Sequence, residues 1–174
     1  MNIAETQTLV AKILEENFKQ ADNADFASNI VLMLQSEPGL GKTSIVEAVC
    51  AEQDWDLDTV PLASYDATEM GGFPIPDPEN MVYNRATPFW LKNINPNRKR
   101  VIFFDELSQA PTPNHNVVAM LVNERKLGEH KLPDNVAIVC AGNAMQHRAG
   151  TNPLPSHLKD RLTFINVETD PSSD

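Results

Sequence analysis

Apolar residues Ile3, Leu9, Val10, Ile13, Leu14 and Phe18 recur at three- and four-residue spacing, which predicts an amphipathic helix over roughly residues 3 to 20. The polar stretch "ADNADFASN" breaks that pattern. Residues Ile30 to Leu34 then run apolar without alternation, the mark of a strand covered on both faces. Helical spacing resumes at Ile45, Val46, Val49 and Cys50, within a helix expected from Lys42 to Gln53. Between strand and helix lies "SEPGLGKTS", so this part of the chain reads as strand, glycine loop, helix.

Leu57 to Leu62 is a second candidate strand. The following "ASYDATEMGGFPIPDPENMVYNRATPFW" is too rich in Gly and Pro for long regular structure, though "DPEN" has the composition of a turn and its flanks suit a small hairpin. "RVIFFDE" is a strand that ends in two acids. Residues 114 to 125 form a helix introduced by "QAPTPN", and "RKLGEHKLP" is a turn-containing link. "VAIVCAGN" is another buried strand, and "LPSHLKDRLTFINVE" gives a short helix and a last strand. Repeated alternation of apolar strands with helices predicts an α/β fold, a mainly parallel sheet with helices on both faces.

Composition narrows the class. At 174 residues the chain is long enough for one domain with a proper core, and its 41% hydrophobic and 22% charged content are those of a soluble globular protein. A net charge of -10 argues against a nucleic acid as bulk partner, because backbone binders carry a basic face. The one basic cluster, Asn97-Arg98-Lys99-Arg100, reads as a solvated loop tip, with a local anion or partner contact as the other reading. Cys50 and Cys140 sit in apolar surroundings as free thiols. The amino terminus lacks the apolar core of a signal peptide, and no apolar run nears membrane-spanning length, so a cytoplasmic protein is expected. His115, His130, His147 and His157 lack metal-ligand spacing and read as surface residues; Trp55 and Trp90 read as packing residues.

Three features carry chemistry. A tight glycine loop ahead of a helix gathers backbone N–H groups and the positive end of the helix dipole into one hollow, which suits phosphate. There Gly39 and Gly41 permit the turn, Lys42 reaches β- and γ-phosphates, and the Thr43 hydroxyl suits Mg²⁺. Asp105 and Glu106 stand where "VIFFDE" delivers carboxylates to the sheet edge at which α/β proteins bind ligands. Asp105 suits the hydrated metal and Glu106 a general base for attacking water. Asn143, ending "VAIVCAGN", offers a neutral amide to that water or to the γ-phosphate.

The order of "SEPGLGKTS", "VIFFDELSQAP", "VNERKLGEHKLPDNVAIVCAGN" and "LPSHLKDRL" resembles AAA+ ATPases, most nearly the MoxR-like branch. The resemblance covers almost the whole chain and implies a P-loop NTPase three-layer sandwich with a mainly parallel five-stranded sheet, the AAA+ large subdomain, over residues 1–170. Residues 171–174 are a polar tail. It places Glu37, Pro38, Gly39, Leu40, Gly41, Lys42, Thr43 and Ser44 in the Walker A loop that binds ATP. It makes Thr43 and Asp105 the Mg²⁺ ligands, and gives Glu106 and Asn143 the Walker B base and sensor 1 roles. It also implies self-association into a ring, hexameric in relatives, whose sites are completed in trans by Arg161, with Arg148 as the other candidate finger. The "EMGGFP" segment with its hairpin, and the link at Leu127-Gly128, resemble inserts that face the ring pore and touch substrate in relatives, with ordinary connecting loops as the other reading and the one preferred.

Two departures from the family pattern stand out. Ser36 occupies the position where such loops usually begin with glycine, a small change unless the backbone there needs a positive φ. Thirteen residues follow Arg161, too few for the helical lid that closes over nucleotide in relatives, so weak nucleotide binding and weak self-assembly are expected. The expected function is ATP-driven remodelling or maturation of a protein partner, with a von Willebrand factor A type adaptor suggested by relatives. A nucleotide-dependent switch with little turnover, a DNA-directed motor or loader and a P-loop phosphotransferase are the rival readings.

Overall fold

The computed structural model describes residues 1–22, 29–39, 41–144 and 153–168. Along the chain run α1 (Ile3–Asp22), β1 (Val31–Ser36), α2 (Lys42–Gln53), β2 (Asp56–Pro61), α3 (Ala67–Gly71), β3 (Pro74–Asp77) and β4 (Val82–Arg85). There follow β5 (Arg100–Asp105), α4 (Thr112–Glu124), β6 (Lys126–Leu127), β7 (His130–Lys131), β8 (Val136–Asn143), α5 (Ser156–Lys159) and β9 (Leu162–Asn166). Five strands form one sheet in the order β2-β5-β8-β1-β9, every neighbouring pair parallel. This is the predicted α/β architecture with its five-stranded parallel sheet.

The uninterrupted apolar strands are explained by the layers. Leu32, Leu34, Val101, Phe103 and Val139 face Val10, Leu14, Ile45 and Val46 of α1 and α2. Their sequence neighbours Val31, Met33, Ile102, Phe104 and Ile138 point the other way, into a core shared with Met70, Val118, Leu121 and Leu158 of α3, α4 and α5. Since successive strand residues alternate between faces, a sheet covered on both sides needs apolar residues at every position.

Between β2 and β5 the chain wraps the second face. Asp66 and Glu69 cap α3 reciprocally, the Asp66 carboxylate accepting from the Glu69 amide at 2.8 Å and the Glu69 carboxylate from the Asp66 amide at 3.2 Å. Trp90 is buried against Phe104 and donates its indole N–H to Met70 O at 2.9 Å, so it packs as expected; Trp55, half-buried, packs edge-on against Phe18. The predicted hairpin is present as β3 and β4, and the link after α4 forms a second, shorter one from β6 and β7. The Arg85 amide donates to the Glu129 carboxylate at 2.7 Å, tying the two hairpins together.

Two expectations are corrected. The basic cluster is a turn with Asn97 and Lys99 exposed, as expected, but its arginines are not simply solvated, because the parallel register of β2 against β5 sets acids beside them. Arg98 pairs with Asp56 at 2.8 Å and with Asp54 at 3.2 Å, and Arg100 pairs with Asp58 at 2.7 Å. These charges line the β2 edge, where they discourage pairing with a further strand. His115, expected at the surface, is wholly buried on α4, with Nε2 2.7 Å from Leu107 O. A carbonyl only accepts, so Nε2 carries the proton; burial pushes the imidazole pKa down and keeps the ring neutral. Cys50 and Cys140 are buried free thiols, the latter pushed up to about 12 by desolvation. Among the described residues, no helix is long and apolar enough to cross a membrane.

Candidate active site

The parallel sheet brings the carboxyl ends of β1, β5 and β8 to one edge, with Ser36 in register with Asn143. A cleft of about 410 Å³ opens there, lined by Gly39, Gly41, Lys42 and Thr43 from the loop and by Asp105, Glu106 and Asn143 from two strand ends. Pro38 also lines it, whereas Glu37 and Ser44 are exposed beside the loop. Leu40 and Arg148 lie outside the described residues, as does His147.

The loop's shape follows from its glycines. Gly39 and Gly41 have φ of 84° and 78°, a region that costs other L-residues about 1–2 kcal/mol. Gly41 precedes α2 directly and its carbonyl accepts the first helical bond, from the Ile45 amide at 3.1 Å. The free N–H groups of that first turn therefore face the cleft edge. Ser36 is not among the positive-φ residues, so a side chain there is unstrained.

Lys42 is buried, and its ammonium donates to the Ser36 hydroxyl at 2.7 Å. Desolvation lowers its pKa, a pull that the negative charge of Asp105 opposes. Among the described residues it makes no ion pair, so a desolvated cation rests on a neutral partner. Such a group favours an incoming anion.

Thr43 donates its hydroxyl to Asp105 Oδ2 at 3.0 Å, which joins the loop to the end of β5. The other Asp105 oxygen accepts from the Glu106 amide at 2.8 Å. One carboxylate and one hydroxyl are oxygen donors of the sort Mg²⁺ takes when waters and substrate phosphates supply the remaining ligands. The residues present thus fit both a polyphosphate and its cation. Glu106 itself has φ 59°, a strained conformation for glutamate, and it turns the chain away from β5 at the mouth of the cleft.

Ser108 and Gln109 were missed by sequence reasoning. Gln109 lines the cleft, and Ser108 donates to Asn143 O at 3.1 Å. Ser108 also presses on Gly142, where an added Cβ would meet its hydroxyl and would come within 2.9 Å of both its amide and Met33 Cε. The turn after Glu106 and the end of β8 are thereby locked together. The sequence signal for this was Gly142, a glycine inside an apolar strand, which marks a close approach of other atoms to the backbone.

Arg161 is not brought to the cleft. It precedes β9, whose Leu162 pairs with Val31 at the amino end of β1, and its guanidinium donates to Asn29 O at 3.0 Å. With about 3.3 Å per strand residue, the length of β1 separates it from the loop by roughly 17 Å. The chain's own Arg161 and its own cleft occupy opposite edges of one sheet.

Solved structures share this fold. A protein of Cytophaga hutchinsonii provisionally assigned as an ATPase superposes with a TM-score of 0.59 at 17% identity, over 98% of this chain and 56% of the other. A point mutant of Thermotoga maritima RuvB gives 0.58 at 15% identity, over 93% and 46%. The Thermotoga maritima RuvB Holliday junction branch migration motor gives 0.57 at 14% identity, over 95% and 44%. The chain thus spans about half the length of the structures it matches. No curated protein matches the sequence. The sequence does match, over residues 32–165, the family described as "ATPase family associated with various cellular activities (AAA)", and with most of its length matched the chain belongs to that family.

Proposed function

We propose that the chain is the ATP-binding and ATP-hydrolysing core of a MoxR-like AAA+ module that remodels or matures a protein partner. The observation that carries the hydrolytic reading is the gathering of Lys42, the Thr43–Asp105 pair, Glu106 and Asn143 around one cleft. In it, Lys42 and the N–H groups of the loop bind the phosphates. Bound Mg²⁺, held by Thr43 and Asp105, would neutralise phosphate charge. Glu106 takes the proton of the attacking water, and the Asn143 amide orients that water. The MoxR-like assignment rests on the stretch "ERKLGEHKLPDNVAIVCAGN".

A protein partner is favoured by surface chemistry. The hairpin of β3 and β4 exposes Phe73, Ile75, Met81, Val82 and Tyr83, with Met81 90% exposed at its turn. Apolar projections of this kind suit a polypeptide, directly or through a von Willebrand factor A type adaptor, while a net charge of -10 does not suit DNA. Members of the AAA family commonly assemble into rings, and a ring with Arg161 facing the neighbour's cleft fits its position at the far edge. Single-turnover hydrolysis of MgATP tests the reading. Glu106→Gln should bind MgATP and lose about 100-fold or more in the chemical step, the usual worth of a general base. An undiminished rate would remove Glu106 as the base, whereas negligible hydrolysis by wild type, with function kept in Glu106→Gln, would favour a nucleotide switch instead.

A further inference from the structure

The position in the loop where glycine is usual holds a hydroxyl with one specific job open to it. Ser36 is 5% exposed and its backbone is fixed by β8, with Asn143 beside it in register and its carbonyl accepting from the Ala144 amide at 3.2 Å. Its hydroxyl proton is given to Glu37 O at 2.9 Å, so towards Lys42 the oxygen can only accept, which it does at 2.7 Å. An ammonium has three donors, and one bond to Ser36 leaves two for phosphate oxygens. A carboxylate in this place would cancel the charge and would have to be displaced. A neutral hydroxyl fixes the ammonium and leaves its charge intact.

We propose that Ser36 is a positioning residue for polyphosphate binding, holding the Lys42 ammonium at the cleft through the hydroxyl that glycine lacks. The inference rests on the nucleotide reading above and adds a residue to it. Ser36 and phosphate share the ammonium and do not compete for it, so the bond persists when nucleotide binds. Lys42 is then ordered in advance, and less side-chain freedom is lost on binding.

The test is calorimetric titration of the full chain with MgADP, comparing wild type with Ser36→Ala, Ser36→Thr, Ser36→Val and Lys42→Ala, each checked by its melting temperature without nucleotide. Threonine and valine differ by a hydroxyl at nearly constant shape, so that pair separates the hydrogen bond from packing even if alanine perturbs folding. Removing a hydrogen bond to a charged group should weaken binding by about tenfold in Ser36→Ala and Ser36→Val, with Ser36→Thr staying close to wild type. Equal affinities for the threonine and valine variants would overturn the proposal, as would tighter binding by Ser36→Ala, the result expected of a latch that nucleotide must open. A loss in Lys42→Ala with none in Ser36→Ala would sink the role of Ser36 alone. Failure of wild type to bind, or no loss in Lys42→Ala, would remove the nucleotide site and this inference with it.

Discussion

Glu106 combines the proposed catalytic role with a left-handed backbone, φ 59°, that costs an ordinary L-residue about 1–2 kcal/mol. Glu106→Gly should relieve that strain while removing the base. Urea melts should show a stability gain of about 1 kcal/mol or less, offset in part by glycine's freedom in the unfolded chain, and hydrolysis should fall about 100-fold or more. His115 links stability to pH. Its folded pKa is lowered by burial, so the unfolded state binds the proton more readily. The stability it contributes is whole above the ordinary imidazole value near 6.5 and declines as pH falls from there towards the lowered one. The melting temperature of wild type should therefore drop between pH 7 and pH 5.5 more steeply than that of His115→Gln; parallel curves would exclude His115 as the cause. At this scale the sequence was legible where chemistry is local. Gly39, Gly41, Lys42 and Thr43 are contiguous, and Asp105 and Glu106 end a strand whose apolar run announces its burial. His115 was misread because nothing in "PTPNHNVV" says that the turn after β5 will supply a carbonyl to its ring.

Elements were predicted where a single periodicity ruled, and missed where two distant segments had to meet. Helices α1, α2 and α4 and the five sheet strands follow from apolar spacing to within a few residues. The cap of α3 was written in "DATE" as an Asp with Glu three places on, yet five helical residues make too little pattern to see. The two-residue strands β6 and β7 have no periodicity at all; they are fixed by Leu127, wholly buried in the core, and by the tie from Arg85 to Glu129. The contact between Ser108 and Gly142 is of the same non-local kind, and it tests how rigidly the two strand ends are held. Gly142→Ala should cost about 1–3 kcal/mol in chemical melts, the usual effect of overpacking, because Ser108 is itself buried, follows the buried Leu107 and cannot retreat freely. Turnover should fall further than affinity, since Asn143 is shifted. A variant as stable and as active as wild type would show that the junction is loose.

For the whole molecule, the decisive arrangement is a parallel sheet with its cleft at the carboxyl edge and Arg161 at the amino edge. Strand order could not be read from the pattern, because every central strand is apolar on both faces and none declares its neighbours. Asp56 and Asp58 of the edge strand β2, with Asp54 at the end of α2, did carry a sign, although their partners on the β5 side were taken for a loop tip. Under the proposed ring, Arg161→Ala should cost no more than about 1.5–3 kcal/mol in urea melts, the worth of one hydrogen bond from a charged group to Asn29 O, and should abolish most hydrolysis. Mixing Arg161→Ala with Glu106→Gln subunits should restore part of the activity, because each lacks a different half of a shared site. No recovery on mixing, in an assembly shown to contain both, would place the finger elsewhere. The two-edged layout also has a genetic consequence. In the proposed ring, a subunit defective at Arg161 would keep its own cleft intact and disable the one next to it, so such an allele would behave as dominant in a cell that also makes the normal protein.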